Sequence, residues 1–152
     1  MRLTRYTDYA IRTLAYLAAR PERLSSIAEV AAAYGVSQNH LMKVVHELAK
    51  AGYVETVRGR SGGMRLAKPA EAITVGEIVR LTEDGFDLVD CGSCPINGVC
   101  GVQGALAEAT RAFLAVLDRH SFAAAASGGA ALRMALDRLP RLRAADCAAQ
   151  DA

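Results

Sequence analysis

Long apolar runs are absent from this sequence of 152 residues, although 52% of its residues are hydrophobic. A membrane-spanning helix requires about 18 or more consecutive apolar residues, and no segment approaches that length. The opening residues also lack the apolar core of a signal peptide. These absences exclude a membrane-spanning helix and lead us to expect a cytoplasmic protein, in which cysteines stay reduced.

The signatures of common enzyme classes are missing as well. The sequence contains no Walker, Rossmann, Gly-x-Ser-x-Gly or His-Glu-x-x-His motif, and it contains no internal repeat. Its length suffices for one or two small domains with a hydrophobic core. We therefore predict a protein that is not an enzyme.

Cysteine is scarce, yet three of the four cysteines fall within ten residues. Cys91, Cys94 and Cys100 follow a C-x2-C-x5-C spacing with glycine, proline and asparagine between them. Three thiols cannot all pair in disulfides, and three soft ligands on a loop suit a zinc ion or an iron–sulfur cluster. Buried structural cysteines are the alternative, but packing in a core does not require three cysteines to lie close together in one loop. Cys147 lies near the end of the sequence and is predicted to be a bystander thiol.

Charge is distributed unevenly along the chain. Residues 1–70 contain 11 Lys/Arg and 5 Asp/Glu, whereas residues 71–152 contain 7 and 11. A basic first half favours a module that binds a polyanion such as nucleic acid. Chance scatter in a short chain is the alternative, so this inference depends on the motifs that accompany it.

Helical periodicity supplies such motifs. Apolar residues recur on one face over residues 4–19, and Asp8 lies in the first turn, where a carboxylate favours the helix dipole. A second helix is predicted to begin at the capping box Ser26–Glu29 and to end at Gly35. A third is predicted over residues 38–51, with Ser37 as its N-cap. Two helices joined by a tight turn are typical of a helix-turn-helix.

The start of the third helix carries the residues predicted to read DNA. In a helix-turn-helix the first residues of the second helix reach base edges, and here they are Ser37, Gln38, Asn39, His40 and Lys43. Glutamine and asparagine pair bidentately with adenine, and serine and lysine are common groove contacts. Helical hairpins with polar caps also occur in proteins that never bind DNA, so both interpretations stay open at this point.

A predicted hairpin follows directly and favours DNA binding. Residues 53–57 and 64–67 alternate like strands, and the loop between them carries Arg58 and Arg60 among glycines. A hairpin behind a helix-turn-helix is a wing, whose arginines approach phosphates or enter a minor groove. A plain solvated hairpin tip is the alternative.

The rest of the sequence predicts two more helices on either side of the cysteine loop. Thr74 and Glu77 form another capping box, and a long helix is predicted over residues 102–120. Its apolar residues fall at heptad spacing: Val102, Leu106, Ala109, Phe113 and Val116. Such a helix packs within one subunit or pairs with a second copy. Pairing fits better, because winged-helix modules commonly read two half-sites as symmetric dimers.

We therefore predict a mainly α fold with a small β-hairpin wing, organised in four parts. They are a winged helix-turn-helix DNA-binding domain (1–70), a linking helix with the cysteine loop (71–101), a dimerisation helix (102–124) and an Ala/Arg-rich C-terminal tail (125–152).

Together these motifs resemble a known family. The opening segment, the start of the third helix, the wing loop and the cysteine loop are similar to the bacterial winged-helix iron–sulfur regulators of the NsrR, IscR and RirA group. The resemblance covers about residues 1–122. It is strongest to the nitric-oxide-sensing NsrR branch, through the opening segment, Val89–Cys91, Cys94–Pro95 and residues 112–118.

The resemblance implies a homodimeric repressor bound to double-stranded operator DNA. It also implies a cluster, [4Fe-4S] in preference to [2Fe-2S], held by Cys91, Cys94 and Cys100. The family's fourth ligand is an aspartate from the partner subunit, at the position that matches Asp8 here. An oxygen ligand leaves one iron open to a small diatomic molecule, so nitric oxide is the expected effector.

One spacing departs from the family pattern. Relatives place four or five residues between the first two cysteines, whereas this sequence has two. The shorter gap is closer to a zinc pattern, so a zinc-stabilised winged-helix regulator is one alternative. Sensing of iron or of cluster supply is the alternative within the family. A small electron carrier is disfavoured because it has no use for a wing.

Overall fold

A computed structural model of the protein describes residues 2–125 and 127–138. In chain order its elements are α1 (Arg5–Ala18), α2 (Ile27–Tyr34), α3 (Gln38–Lys50), β1 (Val54–Val57), β2 (Gly63–Leu66), α4 (Val75–Thr82), α5 (Gly101–Asp118), α6 (Phe122–Ala125) and α7 (Gly129–Arg138), with a 3-10 turn at Ala70–Ala72. The predicted mainly α fold with a β-hairpin is confirmed. Within the described residues, no helix combines the length and apolarity needed to span a membrane. Cys147 and the end of the predicted tail lie outside them.

Both predicted capping boxes are present. The Ser26 hydroxyl accepts from the Glu29 N–H (3.1 Å), and the Glu29 carboxylate accepts from the Ser26 N–H (2.6 Å). Thr74 and Glu77 make the same reciprocal pair at the start of α4. Gly35 ends α2 in the left-handed conformation (φ 63°) that glycine adopts without steric cost. Each side chain satisfies a backbone N–H that the first helical turn leaves unpaired, which explains where these helices begin.

Helix α1 lies at the centre of the protein, in contact with α2, α3, α4, α6 and β2. Fully buried side chains from these elements meet around it, including Leu14, Leu17, Val30, Leu41, Leu48, Met64, Ile78 and Phe122. Burial of one such side chain contributes roughly 1.5–3 kcal/mol. The helix-turn-helix and the segments that follow the wing therefore share one core.

Phe122 is a core residue that the sequence analysis missed. Its side chain is fully buried, although it stands where the predicted dimerisation helix gives way to the predicted tail. Its N–H donates to the Ile73 carbonyl (3.0 Å), and the Val75 N–H donates to the His120 carbonyl (2.8 Å). These bonds join the chain after α5 to the chain before α4, so the end of the segment predicted for dimerisation (102–124) packs against the start of the linking segment (71–101).

Helices α4 and α5 are joined by a bidentate ion pair. The two terminal nitrogens of Arg80 lie 2.6 and 2.7 Å from the two carboxylate oxygens of Asp118. Gly76 packs directly beneath, and a Cβ there would lie 2.0 Å from Asp118 Oδ1. A side chain at position 76 would displace the Asp118 carboxylate, so glycine favours this approach of α5 to α4.

The heptad seam predicted for α5 is divided between two faces. Leu106 and Phe113 are half-buried, whereas Val102, Ala109 and Val116 are exposed, and no residue of α5 is fully buried. The packing of α5 on α4 occupies one side of the helix. This leaves a second apolar stripe open at heptad spacing, formed by Val102, Ala105, Ala109, Ala112 and Val116.

Candidate DNA interface and metal-binding loop

Helix α3 presents the predicted DNA-reading residues to solvent. Its buried face packs Leu41, Val44 and Leu48 into the core, and the opposite face exposes Gln38, Asn39, His40 and Lys43. Ser37 occupies the predicted N-cap position, but its hydroxyl makes no capping hydrogen bond. The amides of the first turn therefore have no partner from that side chain, which suits contact with a phosphate or a base edge.

Met42 is a residue on this face that the sequence analysis did not select. It lies between the buried positions of α3 and is 50% exposed. An exposed methionine beside polar reading residues suits apolar contact with a thymine methyl group. The sequence does contain a signal for the exposure of Met42, because this residue falls outside the apolar periodicity of α3. That periodicity is set by Leu41, Val44, Val45 and Leu48.

The hairpin after α3 has the geometry of a wing. Strands β1 and β2 pair antiparallel, with Val54 opposite Leu66 and Val57 opposite Gly63. The connecting turn requires glycine at Gly62, because a Cβ there would lie 2.3 Å from the Val57 carbonyl oxygen. Backbone bonds between Ser25 and Met64 (3.0 and 2.8 Å) attach the wing to the chain before α2.

The wing tip carries two arginines that are available for DNA. Arg58 and Arg60 are exposed, and neither forms an ion pair with any residue that the structure describes. On the strands below, Arg65 is paired with Glu55 across the hairpin (2.9 Å). The tip therefore keeps its positive charge, whereas the strands are internally neutralised.

Asp8 lies in the first turn of α1, on the side that faces α3. Its carboxylate accepts a hydrogen bond from Arg12 Nε (2.8 Å), and the guanidinium of Arg12 lies 5.6 Å from the Tyr34 ring centroid. Asp8 and Arg12 border a cavity of about 270 Å³, which is also lined by Arg2, Arg5, Tyr9, Ser37 and His40. The three arginines beside the start of α3 form a basic surface that the sequence analysis did not identify.

The cysteine loop connects α4 to α5 through a series of tight turns. The Cys94 N–H donates to the Cys91 carbonyl (3.3 Å), and the Asn97 N–H donates to the Cys94 carbonyl (3.0 Å). Gly98 adopts a positive φ of 83°, and Cys100 is the N-cap of α5. All three thiols in this loop are free and half-exposed. They are not the buried structural cysteines of the alternative interpretation.

Asp90 orders the start of this loop. Its carboxylate accepts from the Gly92 N–H (3.0 Å) and from the Ser93 hydroxyl (2.8 Å). The bonds from Ser93 and Gly92 hold the pKa of Asp90 below its usual range. The short C-x2-C segment is thus a hydrogen-bonded turn rather than a loose connection.

The donor chemistry of the loop fits a soft metal or cluster, because its three thiols are free and lie within ten residues of the sequence. A groove of about 950 Å³ lies beside Cys91, between residues 86–92 and α5. Within the described part of one protomer, however, no three His, Cys, Asp or Glu side chains are grouped as a metal site. Asp8 lines a different cavity from Cys91. The structure of a single protomer therefore does not bring the predicted ligands together.

The fold and this surface define the class of protein. A helix-turn-helix with exposed polar residues at the start of its second helix, followed by a hairpin with two arginines at its tip, is a winged-helix DNA-binding domain. The chain belongs to the Rrf2 family, described as iron-dependent transcriptional regulators, and the match covers residues 3–127. It is a DNA-binding transcriptional regulator.

Curated relatives support this assignment. The chain is 51% identical over 127 residues to the HTH-type transcriptional regulator NsrR of Bacillus subtilis strain 168, covering 80% of this chain and 87% of the relative. It is 49% identical over 127 residues to the regulator of the same name in Shouchella clausii strain KSM-K16, covering 80% and 85%.

Solved structures share the fold. CymR, the global cysteine regulator of B. subtilis, superposes with a TM-score of 0.74 at 25% identity, over 84% of this chain and 97% of that one. IscR of T. potens gives a TM-score of 0.69 at 26% identity, over 82% and 85%.

Proposed function

We propose that the protein is a cytoplasmic, homodimeric repressor whose operator affinity is controlled by an iron–sulfur cluster that reacts with nitric oxide. The observation that carries the proposal is the presence of three free, half-exposed thiols on one loop. That loop lies between α4, which packs on the DNA-binding core, and α5, which leaves an apolar stripe open. The similarity to regulators named NsrR supports the same function.

Cys91, Cys94 and Cys100 would hold the cluster, [4Fe-4S] in preference to [2Fe-2S], with the partner's Asp8 as fourth ligand. When bound, the cluster supplies an iron atom open to nitric oxide, because a carboxylate oxygen is a poorer ligand than a thiolate for such iron. Within its own protomer Asp8 is paired with Arg12 (2.8 Å), and both side chains are more than 40% exposed. An exposed ion pair at this helical spacing contributes about 0.3–0.5 kcal/mol of stability. Breaking the pair with Arg12 would therefore cost little free energy if Asp8 bound a metal.

The open stripe on α5 supports a symmetric dimer. Its five residues repeat at intervals of three and four and are all exposed: Val102, Ala105, Ala109, Ala112 and Val116. Alanine at three of the positions permits close approach of a second helix, and heptad spacing suits antiparallel or parallel pairing. Such a dimer places two α3 helices and two wings on one palindromic operator.

On the DNA, the residues at the start of α3 and at the wing tip have different roles. Gln38 and Asn39 read bases from the major groove, where their amides pair with adenine. Ser37, His40 and Lys43 contact the groove edge and its phosphates. Arg58 and Arg60 reach the backbone or the minor groove from the wing and provide much of the salt-dependent affinity.

The switch follows from the position of the loop in the fold. When the thiols lose their ligation, the loop over residues 91–100 relaxes together with the end of α4. The two α3 helices then lose the half-site spacing that a two-fold operator demands. A difference of a few kcal/mol in operator affinity between the two states gives a useful switch.

Native mass spectrometry during a nitric oxide titration of anaerobically purified protein tests the metal assignment. We expect a dimer whose mass includes iron and sulfide, and a stepwise loss of that mass as nitric oxide is added. Cys94→Ala should remove the cluster and its visible absorbance, whereas the matched control Cys147→Ala should retain both. A Cys94→Ala protein with a full cluster spectrum and a full nitric oxide response overturns the ligand assignment.

Sensing of iron or of cluster supply is the second candidate function. The description of the family as iron-dependent regulators favours it. In that case iron depletion releases the operator, whereas nitric oxide at cluster stoichiometry leaves binding unchanged. The short gap between Cys91 and Cys94 keeps a zinc-stabilised regulator as a further outcome, for which the mass would show zinc and no sulfide.

A further inference from the structure

Glu83 joins the cysteine loop to the start of α1. It is the C-cap residue of α4 and immediately precedes the segment that leads to Cys91. One oxygen of its carboxylate, Oε1, accepts from the Thr4 N–H (2.8 Å), the Thr4 hydroxyl (3.0 Å) and the Thr7 hydroxyl. Residues separated by more than 70 positions in the sequence thus meet at a single atom.

The position of Glu83 is not explained by the stability of its own helix. A carboxylate at a helix C-terminus is opposed by the helix dipole, whereas one at an N-terminus is favoured. The Glu83 carboxylate lies at the C-terminus of α4 and at the N-terminus of α1, where Thr4 is the N-cap. Its favourable interactions are therefore with α1, the helix that carries Asp8.

The Glu83 carboxylate belongs to a network of hydrogen bonds with neighbouring threonines. Thr7 is fully buried, and the Thr82 hydroxyl lies 2.8 Å from the Thr7 hydroxyl oxygen. Partial burial raises the pKa of Glu83, but the bonds from Thr7 and Thr4 outweigh it and hold the pKa below its ordinary value. The Thr4 carbonyl accepts from the Asp8 N–H (3.1 Å), so the network reaches the predicted ligand through one residue.

Helix α1 continues the connection to the DNA-reading helix. It packs along α3, and the Tyr9 ring stacks on the His40 ring with centroids 6.3 Å apart and an interplanar angle of 28°. A displacement of the first turn of α1 thus acts on the first turn of α3. The connection from the loop to the start of α3 thus runs from Glu83 to Thr4 and Thr7, along the backbone of α1 to Tyr9, and from the Tyr9 ring to the His40 ring.

We propose that Glu83 is a positioning residue that transmits the state of the cysteine loop to α1 and, through α1, to the start of α3. This inference rests on the proposed function, because it names the connection through which the metal state alters DNA affinity. Removal of the carboxylate should uncouple the loop from α3 while leaving the thiols in place.

The test compares wild type, Glu83→Gln and the control Glu71→Gln, an exposed glutamate of the 3-10 turn. The DNA is a duplex selected from a random library by the cluster-loaded wild-type protein. Operator affinity is measured with the cluster and without metal, and amide hydrogen exchange is measured on the metal-free proteins. Glu83→Gln should reduce the ratio of the two affinities about fivefold or more and raise exchange in residues 4–12 and 84–90 together. Glu71→Gln should change neither.

Two results overturn the inference. One is a Glu83→Gln protein that keeps the wild-type ratio of affinities, since a merely structural residue would weaken both states alike. The other is faster exchange beside residue 83 without a change in residues 4–12. A wild-type protein that binds DNA equally with and without the cluster contradicts the proposed function instead, and the exchange comparison still decides whether Glu83 holds both segments.

Discussion

At the scale of single residues, the protein separates charges that stabilise it from charges that remain available for a ligand. Arg23, Arg65 and Arg80 are each paired with a carboxylate at 2.9 Å or less. Arg58 and Arg60 at the wing tip have no such partner among the described residues. Exposed ion pairs contribute 1 kcal/mol or less to stability. The pairing therefore matters mainly because it determines which arginines are available to bind phosphate.

Replacement of Arg60 by alanine should weaken operator binding and reduce its dependence on salt. Each phosphate neutralised by an arginine contributes about 0.9 to the slope of log affinity against log salt, so the slope should fall by about one. The measurement is fluorescence anisotropy of a labelled operator from about 50 to 200 mM salt. Arg119→Ala, which removes an exposed arginine at the end of α5, is the matched control and should keep the slope. An unchanged slope in Arg60→Ala shows that the wing tip does not touch phosphate.

Acid should destabilise the protein in part through Glu29. Burial raises the pKa of this carboxyl, but hydrogen bonds from Ser26 and the neighbouring Arg23 outweigh burial and lower the pKa below its ordinary value. The ionised form therefore stabilises the fold above the usual glutamate pKa of about 4.3, and that stability is lost as pH falls through the lower folded-state value. Urea unfolding between neutral pH and about pH 3 should show this loss.

The variant Glu29→Gln isolates that contribution. It should be less stable than wild type at neutral pH by roughly 1 kcal/mol, the usual net value of a hydrogen bond. The two proteins should converge in stability as the solution becomes acidic. A constant difference across the whole pH range contradicts the role given to the ionised Glu29.

At the scale of helices and strands, local signals predicted most of the elements. Capping boxes, turn glycines and apolar periodicity placed α1 to α4 and both strands within about two residues, because such bounds depend on neighbouring side chains. The burial of Phe122, and of Leu136 in α7, was harder to predict, since both side chains join a core formed mostly by residues far away in the sequence. The Ala/Gly-rich composition around them gives little periodic signal.

For the candidate site, likewise, the sequence indicated the residues that lie in motifs but not those brought together by tertiary contacts. The thiols, the reading residues and the wing arginines are visible as motifs in the sequence. The hydrogen bonds of Glu83 to α1 and the arginines around Asp8 were missed, because these contacts form only where α4 meets α1 and where α1 meets α3. A tertiary contact between distant segments leaves no local spacing that marks it.

The exposed stripe of α5 gives a prediction at this scale. Val116 is 42% exposed in the single protomer, so Val116→Asp should leave the fold intact and disrupt pairing of two copies. Sedimentation velocity should show a monomer, with unchanged helix content by circular dichroism. Glu108→Asp, a conservative change at an exposed position of the same helix, should remain a dimer. A dimeric Val116→Asp protein rules out this stripe as the interface.

At the scale of the whole molecule, one core links the candidate DNA-reading surface to the cysteine loop. Helix α1 contacts α3 on one side and α4 on the other, and α4 leads directly into the cysteine loop. A change at the loop therefore has a continuous packed route to α3. The proposed dimer would add a second constraint, because both half-sites must be engaged at their fixed spacing.

The most direct test of cluster-controlled repression is the operator affinity of one anaerobic preparation before and after nitric oxide. The measurement is anisotropy of the selected duplex with the cluster-loaded dimer, repeated after nitric oxide is added in steps. The prediction is tight binding at first, followed by a loss of affinity of about a hundredfold, or about 2.7 kcal/mol, in step with the loss of cluster absorbance. Affinity that stays constant while the cluster absorbance disappears contradicts control of DNA binding by the cluster.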